Sequence, residues 1–175
     1  VLNGFGGRLF NEVRSRQGLA YNVYAFWSPR YDYPGIFIAG GETRSDATVD
    51  FVQATQAEIA RLRQTPISQG ELDQAKDSVL NSFVFNFERP GHTLSRVMNY
   101  AFFDYPDDFI FRYQQQVDAT TADDIQRAAQ TYLNPDEMVT LVVGNEAAIA
   151  PPLTTLSPEG TVEKLDISIP MPGTA

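Results

Sequence analysis

The chain has 175 residues, 43% of them hydrophobic, with twelve Phe, eight Tyr and one Trp, which is enough for one domain with its own core. A net charge of −9 argues against non-specific binding to nucleic acid or to an anionic membrane surface, and no apolar run reaches the ~18 residues needed to span a bilayer. With no cysteine, disulfides, thiolate metal sites and cysteine nucleophiles are excluded.

The charge is unevenly spread. Residues 1–31 carry Arg8, Arg14, Arg16 and Arg30 against Glu12 alone, a local excess of +3, which leaves −12 for the remainder. A basic entrance on an acidic body is suited to a carboxylate or a peptide C-terminus. No secretory signal is recognisable, and an opening at Val1 without a starting Met is expected of a fragment of something longer.

In chain order, Leu9, Phe10 and Val13 fall at helical spacing. Gly18 stands where a left-handed cap closes a helix, and Leu19 is placed to fold back on Val13. Arg14 and Arg16 occupy the last turn, where positive charge suits the helix dipole. Tyr21–Ser28 is aromatic and β-branched, and strand alternation puts Tyr21, Val23, Ala25 and Trp27 on one face. A turn through Pro34-Gly35 leads to a second strand, Ile36–Ala39, and on to Gly40-Gly41, making a β-hairpin.

Ser45 is expected to cap a helix reaching about Gln64, with Val49, Val52 and Ile59 on its apolar stripe. Ser68-Gln-Gly-Glu71 reads as a capping box, with Ile67 and Leu72 as its hydrophobic staple, opening a helix that runs to Phe87. Further helices are expected over 93–103, 107–116 and, started by Thr121 and Asp124, up to Leu133. Met138–Gly144 reads as a buried strand, and the proline-rich end as an extended tail with one strand over Lys164–Ile169. The order of elements predicts an α+β fold, with several helices on one face of a mainly antiparallel sheet. Three or four strands are few for so many helices, so the N-terminal part of that sheet is expected to be missing. The aromatics Phe83, Phe85, Phe87, Tyr100, Phe102 and Phe103 are expected in the core.

Most familiar chemistries fail at once. His92 is the single histidine, so no His-x-x-x-His or His-x-x-Glu-His zinc helix exists and no Ser-His-Asp triad can be built without it, and a lone His in Arg89-Pro-Gly-His-Thr93 is an ordinary exposed or cap-bonded residue. Gly4-Phe-Gly6-Gly7 lacks both the third glycine and the preceding strand of a dinucleotide loop, and the Lys-Ser/Thr of a phosphate loop. The acidic pairs Asp107/Asp108, Asp123/Asp124 and Asp136/Glu137 lie at helix starts or in a turn, where negative charge is stabilising.

Gly6-Gly-Arg-Leu-Phe-Asn-Glu-Val-Arg14-Ser-Arg-Gln-Gly18-Leu-Ala-Tyr21 resembles a signature of the pitrilysin/insulinase-type zinc peptidases, in the second of that family's paired homologous domains. Ile67–Lys76 and Leu133–Gly144 resemble two further runs of that domain in the right order, so the resemblance covers about residues 1–150 and leaves 151–175 as a tail. It implies a domain that binds no metal itself and faces a zinc-bearing homologous domain or subunit across a chamber. The family's arginine and tyrosine, which contact the peptide substrate there, fall on Arg14 and Tyr21. The expected function is therefore the substrate-handling half of a zinc metalloendopeptidase, inactive alone, with Tyr21 stabilising the oxyanion and Arg14 positioning the peptide. The alternative is a non-catalytic assembly or core subunit of the same family. Relatives of this kind occupy the bacterial periplasm or cytoplasm.

Overall fold

The computed structural model describes residues 1–156 and 161–168. Leu9–Arg16 is helical, as its apolar spacing requires, but wound as a π-helix: the Gln17 amide reaches back to the Glu12 carbonyl at 3.1 Å. Leu9 and Val13 are fully buried on its inner side. Gly18 ends it with φ +64°, a conformation that costs glycine little. The Leu19 amide then bonds the Val13 carbonyl at 3.1 Å, one residue wider than the usual glycine cap, as the wider winding demands.

Two strands follow, β1 (Ala20–Ser28) and β2 (Ile36–Thr43), paired antiparallel with Ala25 opposite Ala39 and Phe26 opposite Ile38. Val23, Ala25, Phe37 and Ala39 pack into the core, where the π-helix and helix α1 (Thr48–Gln64) cover that face. The opposite face presents Tyr24, Phe26, Ile36 and Ile38 to solvent. The sequence splits this way because alternate strand residues point to opposite faces.

Val49 and Ile59 of α1 are buried as their spacing predicts, and Val52 is half-buried. Ser45 does not cap the helix: Ser45–Ala47 forms a 3₁₀ turn with no side-chain cap, and the α-helix begins at Thr48. Helix α2 (Gln69–Phe83) opens with the expected capping box, in which the Ser68 amide donates to Glu71 Oε2 at 2.8 Å and the Glu71 amide to Ser68 Oγ at 3.3 Å. Ile67 and Leu72 are both buried beside it. A 3₁₀ turn over Val84–Phe87 leads to α3 (Pro90–Phe102), α4 (Phe109–Ala119) and α5 (Ala122–Tyr132), the last with a second capping box from Thr121 and Asp124. His92 lies exposed in the first turn of α3.

Three expectations need correction. Met138–Gly144 is extended but unpaired, and Val139, Leu141 and Val143 are 94%, 74% and 85% exposed, so it is no buried strand here. Its β-forming side chains have no neighbouring strand to pack against, which leaves two strands among the described residues. Residues 161–168 likewise form no strand, and Ile169 lies outside the described residues. The aromatic group is only partly core: Phe83 is buried, but Phe85 and Phe102 are 63% and 81% exposed and α3 buries no residue. Instead a line of ring contacts joins the hairpin tip to the helices, with Tyr31 stacked on Phe103 at 5.0 Å and Phe83 stacked on Tyr113 at 5.5 Å. The fold class is α+β, and no helix among the described residues is long and apolar enough to cross a membrane.

Candidate functional site

Arg14 and Tyr21 are each delivered by a local irregularity. Arg14 rides on the π-helix, whose buried Leu9 and Val13 anchor its inner side. Its guanidinium carbon lies 4.5 Å from the centre of the Phe10 ring and 5.9 Å from that of Tyr21. A cation over an aromatic face is held electrostatically by the ring quadrupole, so Phe10 is the support that orients Arg14. The helical spacing of Phe10 and Arg14 carried that signal, but core spacing alone did not single Phe10 out.

Tyr21 sits at a β-bulge. Ala20 pairs with Thr43 and Asn22 with Glu42, so Tyr21 is the extra residue with no partner on β2. A bulge breaks strand alternation and re-aims a side chain. Tyr21 is therefore 83% exposed instead of sharing a buried face with Val23 and Ala25, which corrects the strict alternation expected of this strand. Thr43 Oγ1 donates to the Leu19 carbonyl at 2.5 Å and pins the chain just before the bulge. Just after it, β2 comes so close that a Cβ on Gly41 would stand 2.2 Å from the Asn22 carbonyl oxygen.

The surroundings are open. A shallow cleft of about 420 Å³ is lined by Gly18–Tyr21 on one side and Glu42–Arg44 on the other. Among the described residues, neither the Tyr21 hydroxyl nor the Arg14 guanidinium has a hydrogen-bond or ion-pair partner, so both have donors left to offer a ligand. The basic entrance is smaller than the arginine count implied. Arg8, with its side chain 7% exposed, is turned inward onto Glu71 Oε1 at 2.6 Å, and Arg16 is paired with Glu12. The Arg8 guanidinium, helped by the Ser68 amide and hydroxyl, holds the Glu71 carboxyl down at a pKa of about 2. That pair ties the start of the π-helix to the start of α2 and serves packing.

The first 79 residues match the family model described as the peptidase M16 inactive domain. The fold agrees over a longer stretch: the crystal structure of a peptidase M16 inactive domain from Pseudomonas fluorescens superimposes with a TM-score of 0.68 at 26% identity, over 77% of this chain and 32% of that one. The first 79 residues are similar to an M16 inactive domain. The motif-based resemblance to the non-zinc-binding domain of these peptidases therefore holds.

Among curated relatives, this chain is 31% identical over 97 residues to "Uncharacterized zinc protease YmxG" of Bacillus subtilis, which is 55% of this chain and 24% of that protein. It is 24% identical over 144 residues to "Non-peptidase homolog YmxG" of Helicobacter pylori, which is 82% of this chain and 33% of that protein. It thus spans about a quarter to a third of the length of these relatives.

Zinc does not fit the described residues of this chain. Among the described residues no three His, Cys, Asp or Glu side chains converge to hold a metal ion, and His92 stands exposed on α3, away from any such group.

Proposed function

We propose that this chain is the substrate-handling, non-zinc-binding half of a zinc metalloendopeptidase that degrades or processes peptides, acting opposite a zinc site on another domain or subunit. In this reading a peptide carbonyl under attack by water becomes an oxyanion, and the Tyr21 hydroxyl donates a hydrogen bond to it. Arg14 presents its planar fork of donors to a substrate carbonyl or carboxylate and fixes the register of the bound chain. The exposed hairpin face of Tyr24, Phe26, Ile36 and Ile38 offers apolar surface to the peptide's side chains.

The observation that carries the reading is the convergence of two free donors, with the Arg14 guanidinium 5.9 Å from the Tyr21 ring, on an open surface shaped by a π-helix and a bulge. Such departures from regular winding cluster where a side chain must be aimed. The test is hydrolysis of an unstructured peptide by this chain alone and after mixing with a His-x-x-Glu-His domain of the same family. The chain alone should hold no zinc and be inactive, and the mixture should cleave. Tight zinc binding and cleavage by the isolated chain would overturn the proposal.

A second reading is a non-catalytic assembly or core subunit. It is favoured by the Helicobacter pylori relative, whose name is "Non-peptidase homolog YmxG" and which matches over 82% of this chain. Absence of cleavage in the mixture, with a stable complex formed, would select it.

A further inference from the structure

Between Arg14 and Tyr21 the chain passes through Leu19, which is held from two directions. Its amide donates to the Val13 carbonyl at 3.1 Å and ties it to the end of the π-helix. Its carbonyl accepts the Thr43 hydroxyl at 2.5 Å and ties it to the last residue of β2, 24 residues further along. The Leu19 side chain packs against the core.

The joints on either side of Leu19 have no such hold. Gly18 stands at φ +64°, and no atom lies within 4 Å of where its Cβ would be. A glycine in that position leaves the backbone free to pivot. Tyr21 is the bulged residue, without a partner on β2, and is 83% exposed. Its place is therefore inherited from the two residues before it. Thr43 meets both of them: it pairs with Ala20 across the hairpin and bonds Leu19 through its hydroxyl. Thr and Val are both β-branched and suit a strand equally, so strand formation alone does not call for that hydroxyl.

We propose that Thr43 is a positioning residue: by holding the Leu19 carbonyl, its hydroxyl sets where Tyr21 stands relative to Arg14. Its effect on rate rests on the substrate-handling reading given above, in which Tyr21 must meet an oxyanion. Without the tie, the segment from Gly18 to the bulge is free to shift, and a misplacement of about 1 Å at a reacting centre can cost 100-fold in rate. Thr43 itself touches no reacting atom in this account.

Thr43→Val keeps the branched shape and removes the donor, whereas Thr43→Ser keeps the donor. The first readout is the tyrosine ring spectrum by NMR of the chain alone, in which the Tyr21 signal is the one lost in Tyr21→Phe. In Thr43→Val that signal should shift or broaden, while the signal of Tyr113, stacked on Phe83, stays in place. Thr43→Ser should restore it, and the melting temperature of Thr43→Val should fall by only about 2–6 °C. The second readout is peptide hydrolysis with a zinc-bearing partner domain. There Thr43→Val should lower kcat by roughly 10- to 100-fold with little change in KM. In a Tyr21→Phe background it should lower kcat no further, as expected of two residues that act through one group. An unmoved Tyr21 signal would overturn the proposal. So would an equal loss of kcat in both backgrounds, since Thr43 would then support the fold alone. Full activity of Tyr21→Phe would instead remove the oxyanion role of Tyr21, and the ring signal would then decide the placement by itself.

Discussion

The Arg14 guanidinium carbon lies 5.9 Å from the Tyr21 ring centre, although a helix end, a left-handed glycine and a strand start separate them along the chain. The contact exists because Gly18 reverses the chain at φ +64° and the bulge at Tyr21 swings its side chain out of the hairpin's inner face. Neither residue is spent on an internal bond. In the proposed reading, both keep their donors for the peptide.

If Arg14 positions peptide through a planar fork, Arg14→Lys keeps the charge but loses the bidentate geometry and the flat stack on Phe10. Assayed with a zinc-bearing partner domain, it should lower kcat/KM by about 10- to 100-fold, matching a charged hydrogen bond of ~1.5–3 kcal/mol. Most of the loss should fall on KM. An unchanged kcat/KM would show that only charge matters at this position.

Gly41 and Gly40 should respond differently to alanine. At Gly41 the new Cβ meets the Asn22 carbonyl oxygen at 2.2 Å and the Phe51 ring at 2.9 Å, so backbone has to move. At Gly40 it meets the Tyr24 hydroxyl at 3.0 Å, the far end of a side chain that can swing away. Gly41→Ala should cost about 2–3 kcal/mol and Gly40→Ala less than about 1, measured by urea denaturation. Equal costs would mean that the close approach beside the bulge is not held tightly.

The Arg8–Glu71 pair gives the fold a pH signature. Glu71 is held at about 2, below its ordinary 4.5, chiefly by the Arg8 guanidinium. A carboxyl whose folded value is depressed contributes fully above its unfolded value and loses that contribution as pH falls toward the folded one. Glu71→Gln can keep the capping box but removes the charge, and should destabilise by about 2 kcal/mol at pH 7. This lies below the range for a wholly buried pair because the Glu71 side chain is 30% exposed. The gap between wild type and variant should shrink as pH is lowered from 5 toward 2. A gap independent of pH would mean that the ion pair contributes nothing.

Local chemistry explains which parts of this fold were legible in the sequence. Both capping boxes, Ser68 with Glu71 and Thr121 with Asp124, are written in residues three apart, and Gly18 marks its cap by residue type alone. What could not be read depends on distant partners. The bulge at Tyr21 arises from pairing with Thr43 and Glu42, so strict alternation placed that tyrosine on the wrong face. Met138–Gly144 has a strand's composition, but its state depends on a neighbour not found among the described residues. Aromatic content marked Phe85 and Phe102 as core, whereas composition carries no information about which side of α3 is covered. For the proposed site, motif alone picked out Arg14 and Tyr21, and only the three-dimensional path shows that they lie close together.

The most direct test of the central claim is the kcat of Tyr21→Phe, assayed on an unstructured peptide with a zinc-bearing partner domain, with peptide affinity measured in parallel. Loss of one oxyanion donor should lower kcat by about 10²–10³-fold and leave peptide affinity unchanged. Full activity in that variant would contradict the assignment of Tyr21 and, with it, the substrate-handling role proposed for the chain.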